Sequence, residues 1–183
     1  MDDVLCAYTV AHTNALRNNP DVAFPQGVPG FFLALDPIDG AIECINELRE
    51  LHDVFILTAP STRNAHSYSE KRIWIEQHFD YAFTKKLILS PDKGLLKGDY
   101  LVDDHTSGKG QERFDGMLIE FGSELFPDWI AVLTFLKNRG ITIKALTSRS
   151  EARAEPMFKA LVQEGRWNAL KIQRSPREFT KGF

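Results

Sequence analysis

The apolar positions of the chain follow two periods, one typical of amphipathic helices and one of short buried strands. A helical period begins at Ile42, and another covers residues 68–79, where Ser67 and Glu70 have the spacing of a capping box. Pro127 is predicted to open a further helix that continues through Leu136. Short apolar runs between these segments predict strands at residues 54–57, 87–89, 100–102 and 117–121.

Strands that alternate with helices predict an α/β fold, with a largely parallel sheet covered by helices on both faces. Residues 9–35 are rich in Asn, Pro, Gly and aromatic residues, with one short helix expected near residues 9–17. We interpret this segment as a small helical cap inserted into a core domain of residues 1–136. Residues 137–183 are predicted to form a separate helix-strand-helix extension, with its strand at residues 141–146.

Composition supports one folded domain, because 43% of the 183 residues are hydrophobic. Residues 1–136 hold 11 Lys and Arg against 21 Asp and Glu, whereas residues 137–183 hold 11 against 4. The basic extension lacks interleaved aromatic residues, so we do not expect it to bind nucleic acid. We expect a cytoplasmic protein, because no leader and no membrane span are recognisable in the sequence. Cys6 and Cys44 lie outside any metal-binding spacing, so we expect them to be free thiols.

Candidate chemistry collects where the predicted strands end. Asp2, Thr58 and the pair Asp103 and Asp104 fall at carboxyl ends of strands, where ligands of parallel sheets bind, and Lys93 follows another strand closely. Carboxylates suit Mg²⁺, and a hydroxyl and an ammonium group suit a phosphate. Taken singly, each has a plainer interpretation, as a frayed terminus, a helix cap, a solvated lysine or a turn. Their order along the chain favours a magnesium-dependent phosphoryl-transfer site.

A series of short motifs extends this pattern over residues 1–136, and it resembles the 5'(3')-deoxyribonucleotidase family of the haloacid dehalogenase superfamily. The first motif of that family reads Asp-Met-Asp-(Gly/Asp)-Val-Leu, and this chain matches it from its second position. Further matches are Pro29-Gly30-Phe31-Phe32-Leu33, Phe55-Ile56-Leu57-Thr58, Glu70-Lys71-Arg72, Asp92-Lys93, Leu101-Val102-Asp103-Asp104 and Gly110-Gln111-Glu112.

The resemblance implies a Rossmann-like parallel sheet with a small helical cap, and a chemical role for each matched residue. The attacking aspartate and most of the first central strand are expected upstream of Met1, so the chain as written is expected to be impaired. Asp2 would act as general acid and base, and Thr58 and Lys93 would hold the phosphate. Asp104, Asp103 and the Asp2 carbonyl would bind Mg²⁺. The reaction would release nucleoside and phosphate from a nucleoside 5'-monophosphate, with deoxyribonucleotides favoured, through an aspartyl-phosphate.

Aromatic residues provide the candidates for nucleoside contact. Tyr8 occupies the position where the family places an aromatic side chain against the nucleoside, and a core tyrosine is an equal alternative. Phe31 and Phe32 either wall a base pocket or anchor the cap, and anchoring is favoured. Lys71 and Arg63 either line the entrance or are solvated cations, the usual state of lysines on helices and arginines in loops.

Two other functions remain open at this stage. A shared phosphatase core fixes the reaction while the cap selects the substrate, so another small phosphomonoester is an alternative. A catalytically inactive protein that binds nucleotides, or acts by interaction, is the second, since the nucleophile is missing. The resemblance also allows a homodimer.

Overall fold

The computed structural model describes residues 1–146, with side chains described as far as Arg139. This part of the chain contains α-helices and short strands that pair in parallel, after an N-terminal turn, which confirms the α/β class. The helices are α1 (Tyr8–Asn18), α2 (Ala41–Arg49), α3 (His66–His78) and α4 (Trp129–Leu146). The strands are β1 (Ile56–Thr58), β2 (Leu87–Leu89), β3 (Tyr100–Asp103) and β4 (Met117–Glu120).

The strands form two parallel pairs. β1 pairs with β2, with Thr58 opposite Leu89, and β3 pairs with β4, with Asp103 opposite Glu120. Within the described residues these are two separate two-stranded sheets, whereas the sequence predicted one sheet. Thr58 is the last residue of β1 and Asp103 is the last residue of β3, so each lies at the carboxyl end of a strand, as predicted.

Two indole groups fasten helices to the rest of the core. Trp74 of α3 is fully buried and donates to the carbonyl of Leu35 at 2.7 Å, and Trp129 of α4 donates to the carbonyl of Val4 at 2.6 Å. A buried indole N–H needs such a partner, so each bond fixes the position of its helix as well as burying an aromatic ring. The buried apolar residues around them include Leu5, Phe32, Cys44, Ile45, Leu48, Ile75, Ile119, Val132 and Leu136.

The starts of two helices differ from the prediction. The prediction of a capping box at Ser67 and Glu70 is wrong. The side-chain oxygen of Asn64 accepts from the amide of His66 at 2.9 Å, and the Ser67 hydroxyl donates to the carbonyl of Ser61. In α4 the cap is Asp128, whose carboxylate accepts from the amide of Ala131 at 2.9 Å. The predicted opening at Pro127 therefore lies just outside the helix.

The strand predicted at residues 141–146 is also wrong, because α4 continues to Leu146. Gly140 weakens a helix by about 1 kcal/mol relative to alanine but does not end one. Because α4 begins well before this segment, its continuation overrides the strand preference of Ile141, Thr142 and Ile143. Residues 147–183, which hold the remainder of the predicted helix-strand-helix extension, lie outside the described part of the chain.

Residues Met1–Gly140 form a compact unit of their own. No helix within residues 1–146 has both the length and the apolar character needed to cross a membrane.

Candidate functional site

The N-terminal segment is a tight buried turn rather than a strand. The carbonyl of Met1 accepts from the amides of Val4, Leu5 and Cys6 at 3.2, 2.7 and 3.1 Å. Asp3 has a φ of 50°, which a short polar side chain tolerates, and its carboxylate accepts from both the amide and the hydroxyl of Thr9 in α1. Asp3 thus serves the turn and α1, and Asp2 is the carboxylate presented to the site.

Lys71 joins two of the predicted residues. Its Nζ lies 2.6 Å from each carboxylate oxygen of Asp2 and 3.1 Å from the hydroxyl oxygen of Thr58. The Lys71 side chain is 0% exposed, and that of Asp2 is 25% exposed. Burial lowers the pKa of Lys71, and the charge and hydrogen bonds of Asp2 oppose this effect. The expectation that Lys71 is a solvated cation is therefore wrong.

A second buried ion pair joins Lys93 to Asp103. The Lys93 ammonium donates to Asp103 Oδ2, while Asp103 Oδ1 accepts from the side chain of Gln111 at 3.0 Å and from the amide of His105 at 3.1 Å. Burial by itself would raise the pKa of Asp103, but the hydrogen bonds from Lys93 and Gln111 and the charge of Lys93 outweigh it. The net result is a lowered pKa, and Asp103 is held as a carboxylate.

Two loops close on each other to position Lys93. Its amide donates to the carbonyl of Lys109 at 2.7 Å, and Arg113 binds the carboxylate of Asp92 at 2.5 Å. Gly110 lies at this contact with a φ of 85°, and a Cβ there would come within 2.0 Å of Asp92 Oδ1. Only glycine fits both the conformation and the space, which explains the glycine in the Gly110-Gln111-Glu112 motif.

Met1 and Asp104 connect the two ion pairs. The amino group of Met1 is buried, which lowers its pKa; Asp2 opposes this effect, and the charges of Lys93 and Lys71 add to it. Burial raises the pKa of Asp104, whereas His105 and the Met1 amine lower it.

The donor set suits a hard cation only in part. Among the described residues there is no group of three or more His, Cys, Asp or Glu side chains that could hold a metal ion. Mg²⁺ commonly binds through one or two carboxylates together with water and a phosphate, and the carboxylate of Asp104 and the carbonyl of Asp2 are oxygen donors of the kind it takes. The raised pKa of Asp104 supports this fit, because a cation would compensate its buried charge. Both oxygens of Asp103 are engaged by other groups.

An aromatic cluster lies beside Asp2. The ring of Tyr8 is stacked 5.6 Å from His12 and contacts Phe31 edge-on at 5.7 Å, and Phe31 meets Phe32 at 5.3 Å. Phe32 is 2% exposed, as an anchor of the cap should be, whereas Tyr8 and Phe31 are only partly buried. Burial raises the pKa of the Tyr8 phenol, and the charges of Asp2 and Asp3 raise it further.

A cavity of about 200 Å³ borders this cluster on the side of α1. It is lined by Ala15, Asn19, Val22, Pro25, Val28 and Phe31. Phe31 therefore faces both the aromatic cluster and an apolar hollow in the cap.

The structure brings Asp2 close to Thr58 through Lys71, and it pairs Lys93 with Asp103. Lys71 and Gln111 are the further buried members of these two groups. A signal for Lys71 was present in the sequence, because Ser67, Glu70, Lys71, Trp74 and Ile75 have the spacing of a single helix face. A lysine on the same face as Trp74 and Ile75 points into the core. Gln111 had no comparable signal, because its burial depends on the contact between two loops.

Comparisons with known proteins identify the family of the chain. Residues 23–126 match the family described as 5' nucleotidase, deoxy (pyrimidine), cytosolic type C protein. The chain is 40% identical over 108 residues to a putative 5'(3')-deoxyribonucleotidase of Vibrio phage KVP40, covering 59% of this chain and 63% of the phage protein. It is 43% identical over 93 residues to the human cytosolic-type 5'(3')-deoxyribonucleotidase, covering 50% of this chain and 46% of the human protein.

The mouse mitochondrial 5'(3')-deoxyribonucleotidase is 36% identical over 84 residues, which are 45% of this chain and 38% of that protein. The chain thus spans between about a third and two thirds of the length of these relatives. The family match itself covers more than half of the chain and includes Thr58, Lys71, Lys93, Asp103 and Asp104. The chain belongs to the cytosolic type C family of deoxy (pyrimidine) 5' nucleotidases.

Proposed function

We propose that the protein hydrolyses deoxyribonucleoside 5'-monophosphates to nucleoside and phosphate. The observation that carries this proposal is the pair of buried lysine–carboxylate contacts, Lys71 with Asp2 and Lys93 with Asp103. Family membership and the names of the relatives support the same reaction. The partly exposed faces of Tyr8 and Phe31 would contact the nucleoside.

Each residue has a proposed role that its contacts allow. Thr58 would donate its hydroxyl hydrogen to a phosphate oxygen, since its oxygen already accepts from Lys71. Lys93 would share its charge between Asp103 and the phosphate, which offsets the negative charge of the transition state. Asp2 would protonate the leaving 5' oxygen and then accept a proton from the attacking water.

Asp104 and the Asp2 carbonyl would hold Mg²⁺, and Asp103 beside them would keep Lys93 oriented. When bound, Mg²⁺ neutralises phosphate charge and fixes the phosphate relative to its attacker. We propose that the attacking carboxylate belongs to a residue bonded to the Met1 nitrogen. Such a residue would adjoin the turn that presents Asp2 to Lys71, as an aspartyl-phosphate mechanism would need.

The test compares phosphate release by residues 1–183 with release by the same chain preceded by the residues that its gene encodes in frame before Met1. The substrates are a panel of deoxyribonucleotides, ribonucleotides and sugar phosphates, each with Mg²⁺ or EDTA. We expect release only from the extended chain, only with Mg²⁺, and fastest from deoxyribonucleoside 5'-monophosphates. Equal and substantial release by both forms would overturn the assigned nucleophile. Preference for a sugar phosphate would overturn the substrate class.

A further inference from the structure

Lys71 has contacts that its helix does not need for stability. It lies on the buried face of α3 between Glu70 and Trp74, where an apolar side chain of similar length would avoid burying a charge. Instead its ammonium group makes three hydrogen bonds, two to Asp2 and one to Thr58. A buried charge in such a position calls for an explanation other than packing.

Phe32 of the cap covers the Lys71 ammonium group and helps to exclude water from it. The Lys71 Nζ lies 4.7 Å from the centre of the Phe32 ring, and Phe32 is held in place because its amide donates to Glu70 at 3.0 Å. Glu70 also accepts from the amide of Gly30 at 2.6 Å. Neighbouring residues of α3 thus bind the cap and the carboxylate of the site, and water has no access to the ammonium group.

The two buried ion pairs differ in one respect. Both members of the Lys93–Asp103 pair are nearly closed to solvent, at 7% and 3% side-chain exposure. In the other pair Lys71 is fully closed while Asp2 keeps a quarter of its side chain exposed. A ligand can therefore reach Asp2, but it cannot reach Lys71 without displacing Asp2 or Thr58.

We propose that Lys71 is a positioning residue, which orients the Asp2 carboxylate and the Thr58 hydroxyl toward the substrate and does not itself touch it. This inference rests on the proposed function, because Asp2 and Thr58 need a fixed direction only if they act on a phosphate ester. Lys71 holds both oxygens of Asp2, so the carboxylate cannot rotate away from the ester oxygen. By donating to Thr58 Oγ1, Lys71 also leaves the hydroxyl hydrogen for the phosphate.

The test is a double-mutant cycle in the form of the protein that releases phosphate. Lys71→Met keeps the length of the side chain and removes the ammonium group, and Asp2→Asn removes the group that Lys71 is proposed to orient. We expect Lys71→Met to lower kcat on the order of 100-fold with little change in KM. In the Asp2→Asn background the same substitution should cause no further loss beyond about threefold, because the two residues act as one unit.

Lys86→Met is the matched control, since Lys86 makes an exposed ion pair with Asp53 and lies outside the site. It should leave kcat and KM unchanged. If the Lys71→Met protein does not fold, Lys71→Arg replaces it in the double-mutant cycle. Arginine keeps the charge and alters the direction in which Asp2 is held.

Multiplicative losses in the cycle, or a large rise in KM with kcat retained, would overturn the proposal, because they would show a direct contact with substrate or a purely structural role. An inactive parent protein would overturn the proposed function, and this inference with it. An active parent with multiplicative losses would overturn the inference alone.

Discussion

At the scale of single residues, the site depends on polar side chains that are buried and fully paired. Gln111 shows this most clearly, because its amide group donates to Asp103 at 3.0 Å and its carbonyl accepts from the amide of Lys109 at 2.8 Å. One side chain therefore links the carboxylate at the end of β3 to the loop that fixes Lys93. A polar bridge of this kind specifies one loop conformation, since any other leaves buried groups unpaired.

Replacing Gln111 with leucine should destabilise the protein by about 1 to 3 kcal/mol, because Asp103 and the Lys109 amide would each lose a buried partner. Urea unfolding measures this change. Glu112→Ala is the matched control, since Glu112 is adjacent but exposed and forms only a surface ion pair with Arg113. Its effect should stay below about 1 kcal/mol. Equal effects of the two substitutions would contradict the bridging role.

The local sequence predicts where some of the site residues lie in the fold, but it does not predict which side chains pair with each other. Thr58, Asp103 and Asp104 follow apolar runs, so their place at strand ends could be predicted from local sequence. The ion pairs could not be predicted in this way, because Lys71 and Asp2 are 69 residues apart and only the folded chain brings them together.

At the scale of elements, α3 links the cap to the core. Glu70 is 6% exposed and accepts from the amides of Gly30 and Phe32, and Asn64, just before the helix, donates to the carbonyl of Gln26 at 3.0 Å. The cap segment thus gains its fixed position from polar groups on one helix as well as from apolar contact.

Glu70→Ala should loosen the cap, because two hydrogen bonds to a buried carboxylate are lost and each is worth about 1.5 to 3 kcal/mol. The expected result is faster hydrogen exchange at the amides of Gly30 and Phe32 and a lower free energy of unfolding. Glu76→Ala on the same helix is the control, since the Glu76 side chain is 39% exposed and, within the described residues, forms an ion pair with Arg72 on the surface of the helix. The linking role of α3 would be wrong if exchange at both amides stayed at the parent rate.

The turn that follows α3 gives a prediction about pH. Asp80 accepts from Arg49 at 2.6 Å and from the amide of Phe83 at 2.7 Å, and these bonds, that of Arg49 first, lower its pKa. A carboxyl group whose pKa is lowered by folding stabilises the folded state above its unfolded pKa of about 3.9, and this stabilisation is lost as the pH falls through the folded value.

Asp80→Asn should therefore unfold at a lower urea concentration than the parent at pH 7, and the difference should shrink toward zero near pH 3. Urea titrations of both proteins at the two pH values measure this. A difference that is as large at pH 3 as at pH 7 would show that the charge of Asp80 contributes nothing.

The elements also show where sequence patterns fail. The spacing of Ser67 and Glu70 fits a capping box, yet Glu70 is drawn to the cap instead, because two backbone amides there need an acceptor. The run at residues 54–57 predicts a strand, but pairing starts only at Ile56 and Phe55 stays 47% exposed under the Lys86 ammonium group. In both cases a tertiary contact overrides a correct local pattern.

At the scale of the unit formed by residues 1–140, each parallel strand pair ends at a buried ion pair, and the N-terminal turn contributes Asp2 to the first of them. Thr58 ends the first pair and Asp103 ends the second, and Met1 interacts electrostatically with the lysines that serve both. Burying this many charges stabilises a protein little, because desolvation offsets most of the attraction between them. The arrangement is therefore explained better by binding of a charged ligand than by stability.

The proposed function requires that these residues bind the phosphate of a nucleotide together with Mg²⁺. The most direct measurement is calorimetric titration of residues 1–183 with a deoxyribonucleoside 5'-monophosphate in the presence of Mg²⁺, for the parent and for Thr58→Val. We predict binding to one site, at least tenfold weaker in the variant and weaker in EDTA, with the unphosphorylated nucleoside bound more weakly still. Equal affinity for nucleotide and nucleoside, unaffected by Thr58→Val, would contradict the account.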